Sequence, residues 1–425
     1  MASEFTATVK SSGGDYTSLS GAEAGLQNDL TIATIKVLSI SAASSPTLVA
    51  GDAVLGQTSA ATGVCVLVNA ARTQILIKTI AVASFQSGEI VQKVADATKT
   101  VTLSDAGDSP IVGIACYAMA DTTAVTFDGW TTSATNYIRI YTPASERHDG
   151  KYNTSKYRIE ITGGSGAAIQ VNEGFFRMEG LQVLRSIATD VDWWCLSTGD
   201  PLDAGAALYM NNNIFRASIT ASSRNRLIIF NGLGSSTHTV YFWNNLIYDG
   251  VDSGYTQTVL ELSDRWTFYL YNNTFQNCAK GVGLDNNSYG STLPNGKMKN
   301  CLFDTINTPA TGTFEAGTDY NATTAASMNY TVTGGGNSHD RLSQTFTFVN
   351  SGADDFHLTS SDAGAKDFGV DLSADANLAF SDDIDSETRS APWDIGTDEL
   401  VSSLITVYDA AADMLQDDPE EAIPY

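Results

Sequence analysis

The sequence predicts an all-β solenoid of stacked coils, and three observations carry that reading. The first is a recurring stretch. Tyr209–Phe215 (YMNNNIF) returns as Tyr241–Ile247 (YFWNNLI) and Tyr269–Phe275 (YLYNNTF), with a weaker copy at Met298–Leu302 (MKNCL). Taking Asn213, Asn245, Asn273 and Asn300 as equivalent, the steps are 32, 28 and 27 residues. A fainter relative, Phe176–Val183 (FRMEGLQV), places Gly180 at the Asn position. Periods of this size mark stacked units that cannot bury an apolar face alone. The second is alternation: aromatic and β-branched residues, Asn-Asn, then apolar residues, which describes strand, sharp turn, strand. Asn tolerates the left-handed backbone such a corner needs, and its side chains are expected to hydrogen-bond up the stack as a turn ladder. The third is composition: 36 Gly and only 17% charged residues suit short strands and turns. The competing explanation is chance recurrence in an Asn-rich β protein.

At 425 residues, the chain is long for one globular core but natural for a solenoid with an appended domain. Cys65, Cys116, Cys195, Cys278 and Cys301 are odd in number and follow no CxxC pattern, so buried free thiols are expected. The start (MASEF) lacks the basic and apolar regions of a signal peptide, and no apolar run reaches membrane-spanning length. Synthesis in the cytoplasm without export, and no membrane insertion, are the expectations. A net charge of −25, from 23 basic against 48 acidic residues, leaves little material for a phosphate-binding face, so no nucleic-acid partner is expected.

In chain order, residues 1–31 read as a strand (Phe5–Val9), a Gly-rich turn and a short amphipathic helix. That helix is opened by a capping box, Ser20 to Glu23, with Leu19 as a staple, and runs to about Leu30. It would cover the open end of the stack. Residues 32–106 read as an inserted small β module, barrel-like. In it Leu48–Val54 and Phe85–Val91 echo each other as apolar, Gly-acid, apolar, with strands Gly63–Val68 and Gln74–Lys78 between them. Residues 107–396 carry the coils; at about 30 residues each there are roughly nine or ten, stacking to about 45 Å. In 397–425, Leu400, Leu404, Val407, Tyr408, Ala411 and Leu415 share one helical face and Pro419 closes it. This helix would plug the stack or bind a partner.

Two segments carry a resemblance. The opening Gly13–Leu19 (GGDYTSL) resembles the start of many pectate-lyase-like right-handed parallel β-helix proteins. The closing run Phe356–Leu358 (FHL), Asp382–Arg389 (DDIDSETR) and Trp393–Glu399 (WDIGTDE) resembles the C-terminal end of bacterial and viral members of that group. The inserted module resembles small β modules of tailed-phage virion proteins. The resemblance implies a right-handed β-helix and mixes lyases, glycosidases, adhesins and virion parts, so it leaves activity open.

Glycan cleavage needs carboxylates converging on a groove, about 5–9.5 Å apart. Asp190, Asp192, Asp249 and Asp252 are the catalytic candidates, and Trp193 and Trp194 could stack on sugar rings. The rival reading makes these acids loop solvation and these tryptophans packing. No copy of the calcium-and-base set of pectate lyases is present. Asp383, Asp385 and Glu387 alternate and could hold calcium, the only cofactor considered, unless Arg389 simply neutralises them as a surface ion pair. His148, His238, His339 and His357 are scattered without metal spacing, and the Gly runs at 163–166 and 334–336 lack a phosphate loop's Lys. Two function classes remain. One is a structural or receptor-binding virion protein of a tailed bacteriophage (tail fibre, tailspike or capsid decoration), displayed on the virion surface. Its partners would be other virion proteins, copies of itself as a trimer, and a host surface glycan. The other is a polysaccharide-degrading lyase or glycosidase.

Overall fold

The computed structural model describes residues 2–80, 83–188, 192–199, 202, 205–220, 226–231, 236–250, 258–263, 265–284 and 293–400. Its organising feature is three long sheets of eight, eight and seven strands, parallel throughout. One coil shows how the chain visits them. Ala207–Asn211 lies in the first sheet, Asn212 and Asn213 turn the corner, Ile214–Ile219 joins the second, and Ile228–Phe230 joins the third. His238–Trp243 then returns to the first sheet beside Ala207–Asn211, pairing Tyr209 with Tyr241. The expected all-β parallel solenoid is therefore present. Alternation decides which side chains go inward: Leu208 and Met210, Val240 and Phe242, Phe268 and Leu270 are buried, and the tyrosines between them face outward.

One continuous core runs up the stack from Phe5 to Met328. Its lower end is covered by the helix Leu19–Leu26, whose Leu19, Ala22 and Leu26 are buried. The helix start corrects the expected capping box. Ser18, not Ser20, is the N-cap and accepts from the Gly21 amide at 3.0 Å. Glu23 turns instead to the indole N–H of Trp130, at 3.2 Å.

Residues Ile35 to Leu103 form a closed six-stranded barrel with its own core of Leu38, Val54, Cys65, Ile77, Val91 and Val101. The sequence echo is a structural repeat. Asp52 accepts from the Val49 amide at 3.0 Å and Glu89 from the Gln86 amide at 2.5 Å, each carboxylate closing the turn behind a left-handed glycine, Gly51 and Gly88. The two echoed strands pair antiparallel, Val54 opposite Lys93. All five cysteines are buried and unpaired, as expected.

The upper end departs from expectation. Parallel pairing ends at the bridge of Ala322 with Arg341, so the coils do not run on to residue 396 as expected. Residues 346–399 instead fold back along the outside of the stack. Phe348–Asn350 pairs antiparallel with Asp355–Leu358. Phe356 and Ile384 pack on Ile214, Leu246 and Tyr248; Leu358 and Ile395 on Leu302 and Ala322; Leu372, Leu378 and Trp393 on Tyr271. This strap straddles the Asn corner because the side chains flanking that corner on its outer faces are apolar. The helix expected after residue 400 lies outside the described residues.

Candidate functional site at the asparagine corner

The strand register separates the corner residues into two rows with different work. Asn211 pairs with Trp243, and Tyr271 with Lys299, so Asn212, Asn244, Asn272 and Asn300 stand above one another. All four have left-handed backbones (φ 56°, 52°, 51° and 53°), and Gly180 precedes them with φ 71°. Asn300 is thus equivalent to Asn272, 28 residues earlier, and not to Asn273. The second residue of each pair, Asn213, Asn245 and Asn273, is fully buried and forms the ladder proper. Each side-chain oxygen accepts the backbone N–H one coil down: Leu181 to Asn213 at 2.9 Å, Asn213 to Asn245 and Asn245 to Asn273 at 3.0 Å. Each amide nitrogen donates to a first-sheet carbonyl, Met178, Met210 or Phe242. Cys301 fills the slot where the fourth ladder Asn was expected. Asn321 resumes the row by accepting from the Cys301 amide at 3.0 Å, and Asp340 closes it by accepting from the Asn321 amide at 2.9 Å.

The outer row holds the strap. Asn212 donates to the carbonyl of Asp383 at 2.8 Å, Asn244 to Asp382 at 2.9 Å, Asn272 to Asp394 and Gly396 at 3.1 Å, and Asn300 to Val370 at 2.8 Å. Arg389 joins the two sides. Its guanidinium is buried and donates to Asn244 Oδ1 at 3.0 Å, to the carbonyls of Asp382 and Thr397 at 2.9 and 2.8 Å, and faces Glu399 at 3.4 Å. It is no surface ion pair, and the acid it meets is Glu399.

Asp383, Asp385 and Glu387 do come together, with ligand-capable atoms within 4.8 Å of one another. Asp383 spends both oxygens on the backbone, accepting from Asp385 and Glu387 with one and from Glu399 with the other. The trio therefore leaves few free lone pairs against the six to eight oxygens calcium takes. Burial and repulsion from Asp385 push Asp383 up, so this pair holds a proton that an exposed pair would release. Alongside lies His357, donating Nδ1–H to Asp355 at 2.6 Å with Nε2 3.4 Å from Asp385. Burial opposes its charge, but the flanking Asp385 and Asp355 win and raise it to about 10. Burial also lifts Asp394 and Asp398 to about 6. The strap is thus an inward-facing acidic seam closed by His357 and Arg389.

Of the four catalytic candidates, Asp192 and Asp249 are among the described residues, and both stand on the connection from the second sheet to the third, two coils apart. Asp192 precedes the third-sheet strand Trp193–Thr198 and is exposed. Asp249 follows the second-sheet strand Leu246–Tyr248, where it accepts from Asn277 at 2.9 Å and pairs with Arg216 at 3.4 Å. Asp190 and Asp252 lie outside the described residues. Trp193 is corrected as a glycan contact: its ring is fully buried in the core, because the strand's alternation turns it inward, and its neighbour Trp194 is half-buried. Sequence reasoning passed over the His357 seam, although the FHL and DDIDSETR segments that build it were singled out.

Comparison with protein-family models, with curated proteins and with solved structures finds no match.

Proposed function

We propose that this chain is a non-enzymatic, rigid scaffold that serves as a structural or receptor-binding component of a tailed-bacteriophage virion, as fibre, spike or head decoration. The observation that carries the reading is axial continuity. A buried ladder, interrupted at Cys301, links coils from Leu181 to Asp340, and a second row ties the four coils of Asn212, Asn244, Asn272 and Asn300 to an external strap. Bending the stack along those four coils would break buried hydrogen bonds, each costly to leave unmade. Outside, Tyr209, Tyr241 and Tyr269 stack at 4.5 and 5.4 Å, spending their ring faces on one another as a second stiffener. The barrel is the docking piece in this reading, and exposed Val49, Ile80 and Val94 give it an apolar surface for a neighbour. The charge of −25 discourages non-specific aggregation of the exposed stacks, whether single or as the expected trimer.

Incubation with the polysaccharide of the host surface tests the non-enzymatic half. No new reducing or unsaturated ends are expected. Their steady release, abolished by Asp192→Asn or Asp249→Asn, would replace the scaffold with the depolymerase reading.

A further inference from the structure

At the upper end of the solenoid an open cleft of about 460 Å³ lies between the last coil and the strap. Its floor is built around one buried acid. Asp319 accepts the Tyr320 and His339 amides with Oδ1, at 2.9 and 2.8 Å, and takes Nδ1 of His339 with Oδ2 at 2.6 Å. Tyr320 sits in a left-handed backbone and lays its ring flat on the imidazole, centroids 4.4 Å apart and planes within 3°. His339 is therefore fixed in position, with Nδ1–H given to Asp319. Its side chain is nonetheless 57% exposed. The opposite wall is Phe368, 41% exposed, with Arg341 seated on one face 3.2 Å from the ring centre. Arg341 directs its donors to the carbonyls of Gly364 and Ala363 and to Gln344. Asp340 is committed to the ladder and to Tyr330. The cleft is thus lined by an aromatic ring, an imidazole, Tyr320, Ser338, Arg341 and the exposed Asp367, whose carboxylate pairs with Lys366 at 2.8 Å.

We infer that this cleft binds a neutral sugar ring. The polar groups combine a carboxylate that only accepts, hydroxyls that do both and a guanidinium that only donates, so the ligand must both donate and accept. Arg341 Nε and Nη2 are bonded to protein oxygens while Nη1 keeps its donors, and this donor beside the Asp367 carboxylate makes a mixture that suits hydroxyls better than an anion. An exposed aromatic face beside hydroxyl-matched polar groups suits a pyranose, with its C–H face on Phe368 and its hydroxyls toward His339 Nε2 and Asp367. The volume lies within the ordinary range for a small-molecule site, roughly 300–1,000 Å³.

The experiment is saturation-transfer NMR on the full chain with methyl glucoside, methyl galactoside and methyl N-acetylglucosaminide, and with inorganic phosphate as the anionic control. At least one glycoside is expected to receive saturation. The Kd, read from titration of the saturation signal, should rise at least about tenfold, equivalent to about 1.4 kcal/mol, in Phe368→Ala and in His339→Ala. Phe368→Ala alters no buried hydrogen bond, and an unchanged Tm confirms that it folds. Saturation of none of the three glycosides, displacement of a bound glycoside by phosphate, or equal binding by the folded Phe368→Ala chain would overturn the assignment. The outcome is independent of whether the protein resides on a particle.

Discussion

Asn244 and Asn245 are adjacent, identical in chemistry and opposite in duty. Asn245 accepts two hydrogen bonds from Asn213 and donates to Met210, all in the dry interior. Asn245→Ala leaves those groups unpaired and is expected to cost on the order of 2–4 kcal/mol. Asn244→Gly keeps the left-handed corner and loses one bond to the strap and one acceptor for Arg389, a loss of about 1–2 kcal/mol. Urea denaturation of both variants checks the order, and a larger loss for Asn244→Gly would contradict the assignment of the rows. The Asn-Asn pairs were legible in sequence because a corner every coil leaves a period. The row of Asn300 was not, since a lone Asn beside Cys301 fits either slot until the strand register is known. His357 offers a pH test. Its folded pKa is raised from 6.5 to about 10, so the stability it contributes is complete below about 6.5 and drains away as pH rises toward 10. The Tm difference between the native chain and His357→Gln should therefore be largest near pH 6 and shrink by pH 9.5. A difference that grows with pH would mean that the imidazole is not held charged by Asp355 and Asp385.

The elements divide by how local their causes are. Strands, the cap helix and the barrel's twin turns follow from alternation, an N-cap and a Gly-acid pair, all readable within ten residues. The strap could not be read that way. Its bonds to the corner span from 70 residues (Asn300 to Val370) to 172 (Asn212 to Ile384), and its acids look like any solvated loop until Arg389 and His357 are placed among them. The barrel contributes more than a docking surface. The strand Ala2–Val9 is the exposed edge of the first sheet, and Gln74 caps it like a peptide unit, donating to the Glu4 carbonyl at 2.7 Å and accepting from the Thr6 amide at 2.9 Å. Gln74→Ala should speed hydrogen exchange at Thr6 while amides of the upper coils stay protected. Equal exchange in both chains would show that the edge needs no such cap. Excision of residues 32–106 with a short Gly/Ser bridge should leave a solenoid that still unfolds cooperatively at a lower Tm, because Ala2–Val9 retains its pairing with Ser109–Cys116. Loss of cooperativity would make the barrel an inseparable part of the first coil.

For the whole molecule, stiffness is assembled from three parallel devices: the inner ladder, the stacked tyrosines and the strap. None of them requires a catalytic centre, and the strongly acidic surface suits a body kept from non-specific aggregation. The arrangement makes mechanical sense if the barrel grips a particle and the solenoid end points away. The most direct test of the scaffold claim is a quantitative mass-spectrometric inventory of gradient-purified phage particles. The account predicts that the full chain co-bands with the particles at a fixed copy number relative to the major capsid protein. Its absence from assembled particles, with the chain recovered only in the soluble fraction, would contradict it.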